Sequence, residues 1–295
     1  MSSIAVFCPA KVNLMLAVTG KRGDGYHDLF SVVAPVQFGD LLWVHRREAS
    51  KSVTLSCTDS QLDTGPNNLV LQAVEAFRER YPFSNGLDLE LEKRIPAGAG
   101  LGGGSSDAVG TLRALNQLFG FPLGEAEMMD AALSIGSDCP FFLLRKPAVM
   151  EGRGESVRPL SDSVRQRLSG QPLLLFKPSF SIPTGAVYRQ MAADGGAFYC
   201  SPGEAQARFQ RWRGAGDSIS SLLYNNMEAV VFRKYLPIPA LKRELETAHP
   251  VRVLMSGSGS ACFCPLDGGV RSEDLKAAIR EAWGECAFLM ETRLI

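Results

Sequence analysis

The stretch Ile95-Pro-Ala-Gly-Ala-Gly-Leu-Gly-Gly-Gly-Ser-Ser-Asp-Ala108 decides the fold prediction for this chain of 295 residues. Its five glycines allow the backbone to approach a ligand closely and to adopt positive φ angles without strain. Alternating leucines at 87–91 predict a strand before it, and apolar residues at helical spacing over 108–119 predict a helix after it. A helix that begins after such a loop presents unpaired N–H groups and a positive dipole end, so the segment predicts a phosphate site.

Three well-known phosphate loops do not fit this stretch. Gly98–Gly103 matches G-x-G-x-x-G, but that fingerprint needs a βαβ unit, whereas residues 123–133 again have a helical pattern. The Walker A motif needs a lysine after the glycines, and none follows here. A protein-kinase glycine loop needs partners that resemble VAIK, HRD and DFG, and these are absent from the sequence. A tight linker turn remains the structural alternative to a phosphate loop.

Composition restricts the classes of function. The sequence contains 31 basic residues (Lys and Arg) and 31 acidic residues (Asp and Glu). There is therefore no basic excess that would indicate a nucleic-acid partner. The apolar strand predicted from Ile4 leaves no room for the n-region and h-region of a signal peptide, so we expect none, and no apolar run approaches the roughly 20 residues of a membrane span. Seven dispersed cysteines without a CxxC pair, and three scattered histidines, are typical of a reduced protein without a zinc site. We therefore expect a cytoplasmic protein that binds neither nucleic acid nor membrane.

The order of predicted elements indicates an α+β fold in two halves, with a composition break near 152–162. The first half is predicted to contain strands at 4–18 and 33–44, a helix at 67–81, the loop with its flanking strand and helix, a helix at 125–135, and strands at 141–144 and 148–151. The second half is predicted to contain a strand at 173–177, helices at 203–212, 222–232 and 239–247, a strand–turn–strand at 251–264, a helix at 272–283 and a strand at 287–294.

Polar residues in apolar surroundings mark candidates for chemistry. Lys11 and Asn13 share one face of the first strand, which indicates either a ligand-facing pair or a solvent-exposed sheet face. Tyr26 and His27 follow a polar loop, where they suit stacking on a base and hydrogen bonding to it, or simply a surface turn. Asp138 follows a predicted helix, either as a cap or turn residue or as a general base for a hydroxyl group.

A second glycine-rich turn, Ser256-Gly-Ser-Gly-Ser260, joins two apolar segments. Its N–H groups could face an anion, although a plain hairpin turn explains the same pattern.

Together these segments resemble one family along most of the chain. In order and spacing they match motifs of the GHMP kinase superfamily, and in particular of its members that act on a cytidine-diphosphate-linked methylerythritol. The matching segments are Pro9–Leu14, Gly25–His27, Pro96–Asp107, Gly136–Pro140 and Met255–Ala261, and Ser181–Thr184 with Tyr188 is similar to the substrate segment of the family. The resemblance is faint over 161–171 and 192–219.

The resemblance implies a two-domain GHMP kinase fold with the active site in the cleft between the domains. It implies an N-terminal ATP-binding domain at 1–158 and a C-terminal domain at 159–295. The expected reaction is the phosphorylation by ATP, with Mg²⁺, of the 2-hydroxyl of the methylerythritol moiety, a step of the non-mevalonate route to isoprenoids. The protein is expected to be a monomer or a homodimer.

The resemblance also implies roles for individual residues. Asp138 would be the base and Lys11 its partner, while Tyr26 and Tyr188 would sandwich the cytosine and His27 would hydrogen-bond its edge. Further substrate contacts would come from Asn13 and Thr184. The expected ATP-binding residues are Asn68, Lys93, Pro96, Ala97, Gly98, Ala99, Gly100, Leu101, Gly102, Gly103, Gly104, Ser105 and Ser106. No residue is predicted as a metal ligand.

The chain departs from the usual family pattern at two places. Asp107 stands where many relatives have Asn or Ala, and we predict that it caps the following helix rather than approaching the metal. Asn226-Met-Glu228 differs from the usual Asn-Asp-x-Glu, so this segment is predicted to have no catalytic role.

Two alternative functions stay open at this point. One is another small-molecule GHMP kinase of the homoserine or mevalonate type, although a small aliphatic alcohol has no need of the aromatic residues Tyr26, His27 and Tyr188. The other is a non-catalytic nucleotide-binding module, against which the pair Lys11 and Asp138 argues.

Overall fold

The computed structural model describes residues 2–267 and 269–295, which divide into two compact units. The first unit contains the residues up to Ala10 together with Phe38–Pro96 and Gly102–Arg145, and the second contains Lys11–Gln37, Ala97–Leu101 and Lys146–Ile295. The units are therefore interleaved along the chain, whereas the predicted domains are consecutive. The domain boundary between 158 and 159 stays a prediction.

The first unit combines sheet strands with four helices. Its strands are the first part of β1 (Ser3–Lys21), the second part of β2 (His27–Arg47), β3 (Val53–Cys57) and β4 (Gly86–Glu92). Strand β4 pairs antiparallel with β2 and parallel with β3. The helices, which pack on one another, are α1 (Leu69–Arg80), α2 (Gly103–Leu118), α3 (Glu125–Ile135) and α4 (Cys139–Leu144).

Helix α2 is seated directly on the first part of β1. The Ser106 hydroxyl donates to the carbonyl of Pro9 at 2.7 Å, and Gly110 faces the side chain of Cys8 without room for a side chain of its own. Leu112 and Leu115 on the same helix are fully buried. The loop that precedes α2 therefore leads into a helix with a fixed position.

The second unit contains the remaining strands and helices. Its further strands are β5 (Ala148–Gly152), β6 (Ser156–Pro159), β7 (Pro172–Lys177), β8 (Tyr224–Asn225), β9 (Leu254–Met255), β10 (Cys262–Pro265) and β11 (Phe288–Arg293). Its helices are α5 (Asp162–Leu168), α6 (Thr184–Ala193), α7 (Pro202–Ala215), α8 (Glu228–Lys234), α9 (Pro237–Ala248) and α10 (Ser272–Trp283).

Two sheet regions organise this unit. Strand β1 pairs parallel with β8, while β2 pairs antiparallel with β5, which continues to β6. A four-stranded antiparallel sheet has the order β11-β7-β10-β9. Apolar side chains from α6, α9 and α10 pack against this sheet in one core, which includes Phe176, Met191, Leu245 and Ile279. In the two described ranges, no helix is long and apolar enough to cross a membrane.

The α+β prediction is confirmed, and most predicted elements are present, but the strand predicted at 141–144 is wrong. These residues belong to helix α4, whose second residue is Pro140. Proline at the start of a helix lacks an N–H group that would be unpaired there anyway. A four-residue apolar run does not by itself distinguish a strand from a buried helical turn.

The single helix predicted at 222–232 is also wrong. A short 3₁₀ turn, Ile219–Ser221, is followed by β8 and only then by α8. The side chain of Asn225 explains the break, since it donates to the carbonyls of Met255 and Gly257 and accepts from the N–H of Met227. The prediction also missed β3, β6, α5 and α6.

Gly39 provides a test of the packing of β1 against β2 in the first unit. A Cβ at Gly39 would overlap the carbonyl oxygen of Cys8, whereas a Cβ at Gly20 would meet nothing within 4 Å. We expect Gly39→Ala to lower the free energy of unfolding by about 1–3 kcal/mol, because two backbones must separate. Gly20→Ala is the matched control, with an expected change within about 0.5 kcal/mol. Urea titration of both variants checks this, and equal stabilities would contradict it.

Candidate active site

The predicted phosphate loop and the second glycine-rich turn are in direct contact within the second unit. Gly100 has a φ of +80°, and a Cβ on it would overlap the carbonyl oxygen of Ser256. The Ser256 hydroxyl donates to the carbonyl of Gly100 at 2.9 Å, and the N–H of Ala261 donates to the carbonyl of Ala99 at 3.0 Å. The turn after β9 is therefore a hairpin turn that also fixes the shape of the loop.

Lys11 and Asn13 are buried, so the alternative of a solvent-exposed sheet face is wrong. The Lys11 ammonium donates to the Asn13 side-chain oxygen at 2.5 Å, and the Lys11 N–H donates to the carbonyl of Leu101 at 2.9 Å. The Asn13 amide donates to the hydroxyl of Ser31, and its backbone N–H donates to the hydroxyl of Ser256. A buried ammonium needs such polar partners. These hydrogen bonds link Lys11 to the predicted phosphate loop.

The start of helix α2 lies beside the start of α4 in the first unit. Helix α2 packs on α4, and the hydroxyl of Ser105 faces the thiol of Cys139. Burial raises the pKa of the Cys139 thiol to about 12, so this thiol stays protonated and is not a nucleophile. Asp138 precedes Cys139 as the N-cap residue of α4, and it is half-buried. Asp138 therefore directly precedes the residue that faces the end of the predicted phosphate loop.

Asp107 does not cap a helix, so that prediction is wrong. Gly102 is the N-cap of α2, whereas Asp107 lies within the helix and its carboxylate accepts from the Lys93 ammonium at 2.7 Å. Lys93 also binds Asp40, which accepts in addition from the N–H groups of Arg94 and Ile95. The sequence pattern shows only that an acidic residue lies near the start of a helix. Its partner, the ammonium of Lys93, lies outside this helix, so the pattern does not reveal the pair.

Two carboxylates and one ammonium are buried together in this cluster of Asp40, Lys93 and Asp107. Burial raises the pKa of Asp107 well above its ordinary value; Lys93 lowers it and Asp40 raises it further. Burial lowers the pKa of Lys93, but the two carboxylates raise it by more. The cluster lies directly behind the loop, since Lys93 Nζ lies against Gly103.

His27 is buried rather than exposed on a surface turn, so that alternative is wrong. Its ring lies 4.8 Å from the ring of Tyr188, centroid to centroid, and its Nε2 lies 3.0 Å from the hydroxyl of Tyr199. Tyr26 is 58% exposed, and the guanidinium of Arg153 lies 4.9 Å from the centre of its ring. The structure therefore brings His27 and Tyr188 together, while Tyr26 presents a ring to solvent.

Three further predicted residues, Thr184, Asn68 and Lys93, have partners within the protein. The Thr184 hydroxyl lies 2.7 Å from that of Ser258, in the second glycine-rich turn. Asn68 is the N-cap of α1, where its side chain accepts from the N–H of Val70 and donates to the carbonyl of Asp63. Lys93 is turned towards Asp40 and Asp107. The nucleotide and substrate roles of these three residues stay predictions.

Asp138 and Lys11 belong to different units, so their predicted pairing stays a prediction. Sequence reasoning missed other residues, above all Asp40, Tyr199 and Asn225. An acidic residue in an otherwise apolar strand is a signal that could have found Asp40. Tyr199 carries no such signal, because it lies where the family resemblance is faint.

Comparison with known proteins agrees with this geometry. Models of the GHMP kinases N terminal domain and of the GHMP kinases C terminal region match residues 68–146 and 205–286. The chain is 38% identical to the 4-diphosphocytidyl-2-C-methyl-D-erythritol kinase of Protochlamydia amoebophila (strain UWE25), over 92% of this chain and 87% of that protein. It is 36% identical to the protein of the same name from Methylacidiphilum infernorum (isolate V4), over 87% of this chain and 84% of that one.

Solved structures give the same result. A crystal structure of 4-(cytidine 5'-diphospho)-2C-methyl-D-erythritol kinase superposes with a TM-score of 0.78 at 32% identity, covering 98% of this chain and 99% of that one. A homoserine kinase from Cytophaga hutchinsonii superposes with a TM-score of 0.75 at 16% identity, covering 100% of this chain and 95% of that one. At that identity the second likeness shows the fold alone.

The buried carboxyl of Asp107 predicts a pH-dependent stability. Between the ordinary and the raised pKa, the folded protein holds a proton that the unfolded chain releases, so the free energy of unfolding falls as pH rises. Asp107→Asn removes this linkage. We compare the free energy of unfolding of the variant with that of wild type at each pH. From about pH 5 to about pH 8, we expect this difference to move in favour of the variant by at least about 1 kcal/mol.

Urea titration at the two pH values measures this difference. Asp130→Asn, an exposed position on α3, is the control and should follow wild type at both pH values. A constant difference between wild type and Asp107→Asn would contradict the prediction.

Proposed function

The chain belongs to the 4-diphosphocytidyl-2-C-methyl-D-erythritol kinases within the GHMP kinases, and from this premise we propose how its residues carry out the reaction. The γ-phosphoryl group of ATP is transferred to the 2-hydroxyl of the methylerythritol moiety, in the non-mevalonate route to isoprenoid precursors. The observation that supports this assignment of roles is the position of the half-buried Asp138, whose neighbour Cys139 faces Ser105 at the start of the helix that follows the glycine loop.

ATP is proposed to bind along Pro96–Ser106, with Asn68 and Lys93 beside the nucleotide. The first N–H groups of an α-helix lack partners within the helix, so α2 offers donors to phosphate oxygens together with its positive dipole end. The contact between Gly100 and Ser256 supports this proposal, because it keeps the loop backbone in one conformation.

Asp138 is proposed to accept the proton of the attacking hydroxyl. The hydroxyl oxygen forms a bond to the γ-phosphorus while the bond from this phosphorus to the β–γ bridging oxygen breaks, and ADP leaves. Phosphoryl transfer depends mainly on positioning and charge stabilisation, so a carboxylate can take the proton late. Lys11 is proposed to offset the charge that collects on the phosphoryl oxygens and to keep Asp138 ionised.

Mg²⁺ is proposed to enter with ATP. In the described parts of the chain, no group of three or more His, Cys, Asp and Glu side chains is arranged to hold a metal ion. This fits Mg²⁺, which typically uses substrate phosphates, waters and one or two protein oxygens. The Ser105 hydroxyl is the protein oxygen that would hold it, and when bound it neutralises developing negative charge.

The cytosine is proposed to stack between Tyr26 and Tyr188, with His27 at its edge and with Asn13 and Thr184 on the remainder of the substrate. The exposed ring of Tyr26 supports this role, since a fixed aromatic face open to solvent suits a planar base.

The seven cysteines are free thiols, which supports a proposed location in the reducing cytoplasm.

Asp138→Asn tests this assignment. We expect kcat to fall by about 10²–10⁴-fold, because a positioned base is lost. The affinity for ATP, measured by calorimetry, should stay close to that of wild type. Production of ADP is followed with ATP, Mg²⁺ and the cytidine substrate, and with homoserine and mevalonate in parallel.

The exposed residue Asp130 again provides the matched control, and Asp130→Asn should keep full activity. Full activity of Asp138→Asn would remove Asp138 as the base. Turnover of homoserine or mevalonate, but not of the cytidine substrate, would overturn the proposed substrate.

A further inference from the structure

Tyr199 contacts the residue that is proposed to bind the cytosine edge. His27 is 7% exposed, and its Nε2 lies 3.0 Å from the Tyr199 hydroxyl. The two rings meet edge to face, with centroids 5.8 Å apart and planes at 66°, while the ring of Tyr188 covers a face of His27. The Nε2 atom of His27 is thus engaged by the protein.

The Tyr199 hydroxyl is held in place through its backbone. The N–H of Tyr199 donates to the carbonyl of Gly196, and the N–H of Cys200 donates to the carbonyl of Val18 in β1, both at 3.0 Å. The side chain of Asn226 donates to the carbonyls of Val18 and Phe198 at 2.8 Å each. The segment before α7 is therefore fixed to the strand that carries Lys11 and Asn13.

The protonation of the pair can be derived from its surroundings. Burial and the nearby Lys21 lower the pKa of His27, and burial raises the pKa of Tyr199, so both groups are neutral at neutral pH. A neutral imidazole carries one N–H, and the hydrogen bond at one nitrogen decides which nitrogen has it. A phenol donates more strongly than it accepts, because its oxygen lone pair is delocalised into the ring.

We propose that Tyr199 is a positioning residue that donates to Nε2 of His27 and so keeps the imidazole proton on Nδ1, where it selects cytosine over uracil. Cytosine N3 is an acceptor and pairs with an Nδ1–H donor. Uracil carries a hydrogen at N3, so two donors would face each other and stay unsatisfied. This inference rests on the proposed function, since it takes His27 to contact the base edge.

Tyr199→Phe removes the hydroxyl and keeps the ring. We expect wild type to have a kcat/KM at least about tenfold higher for the cytidine substrate than for its uridine analogue, because a buried donor without an acceptor is costly. In Tyr199→Phe this ratio should fall by about fivefold or more, mainly through a higher KM for the cytidine substrate. Tyr235→Phe, which removes a phenol hydroxyl elsewhere in the second unit, is the control and should keep the wild-type ratio. An unchanged ratio in Tyr199→Phe would overturn the inference.

Nitrogen NMR of the imidazoles tests the tautomer without any substrate. The chain has three histidines, so the signal of His27 can be assigned by its loss in His27→Gln. We expect the Nδ1–H tautomer in wild type and a mixture of tautomers in Tyr199→Phe. An Nε2–H tautomer in wild type would overturn the inference, whatever the enzyme phosphorylates. Failure of wild type to phosphorylate the cytidine substrate would instead overturn the proposed function.

Discussion

Gly100 and Ser256 approach each other so closely that a carbonyl oxygen occupies the space a side chain at Gly100 would need. A positive φ at Gly100 is required for the same approach. The hydroxyl of Ser256 donates to the Gly100 carbonyl and accepts from the backbone N–H of Asn13, whose side-chain oxygen accepts from the Lys11 ammonium. One backbone contact thus determines the shape of the loop and the place of the neighbouring ammonium.

Charge in this protein is local rather than global. The formal net charge is zero, yet the side chains of Lys11, Lys93, Asp40 and Asp107 are all buried. Each side chain is held by polar partners, as the cost of burying an isolated charge requires. The cluster of Asp40, Lys93 and Asp107 lies behind the loop, whereas Lys11 and Asp138 are the charged groups proposed to act in the reaction.

The sequence predicted the α+β fold, the loop and the motifs around it, because turn residues and hydrophobic periodicity are local signals. It did not predict the interleaved units or the inward turn of Asp107, because both depend on contacts between distant segments, such as Lys93 with Asp107. The strand predicted at 141–144 failed because a short apolar run fits two structures. Tyr199 could not be found, since only the fold brings it to His27.

The claim that the contact between Gly100 and Ser256 shapes the ATP site is tested most directly by the affinity of Gly100→Ala for ATP. Calorimetry should be performed on variant protein whose circular dichroism matches wild type, with Gly20→Ala as control. We predict that the Kd for ATP rises at least about tenfold in Gly100→Ala, a loss of about 1.4 kcal/mol, and stays unchanged in the control. A folded Gly100→Ala protein that binds ATP as tightly as wild type would contradict the account.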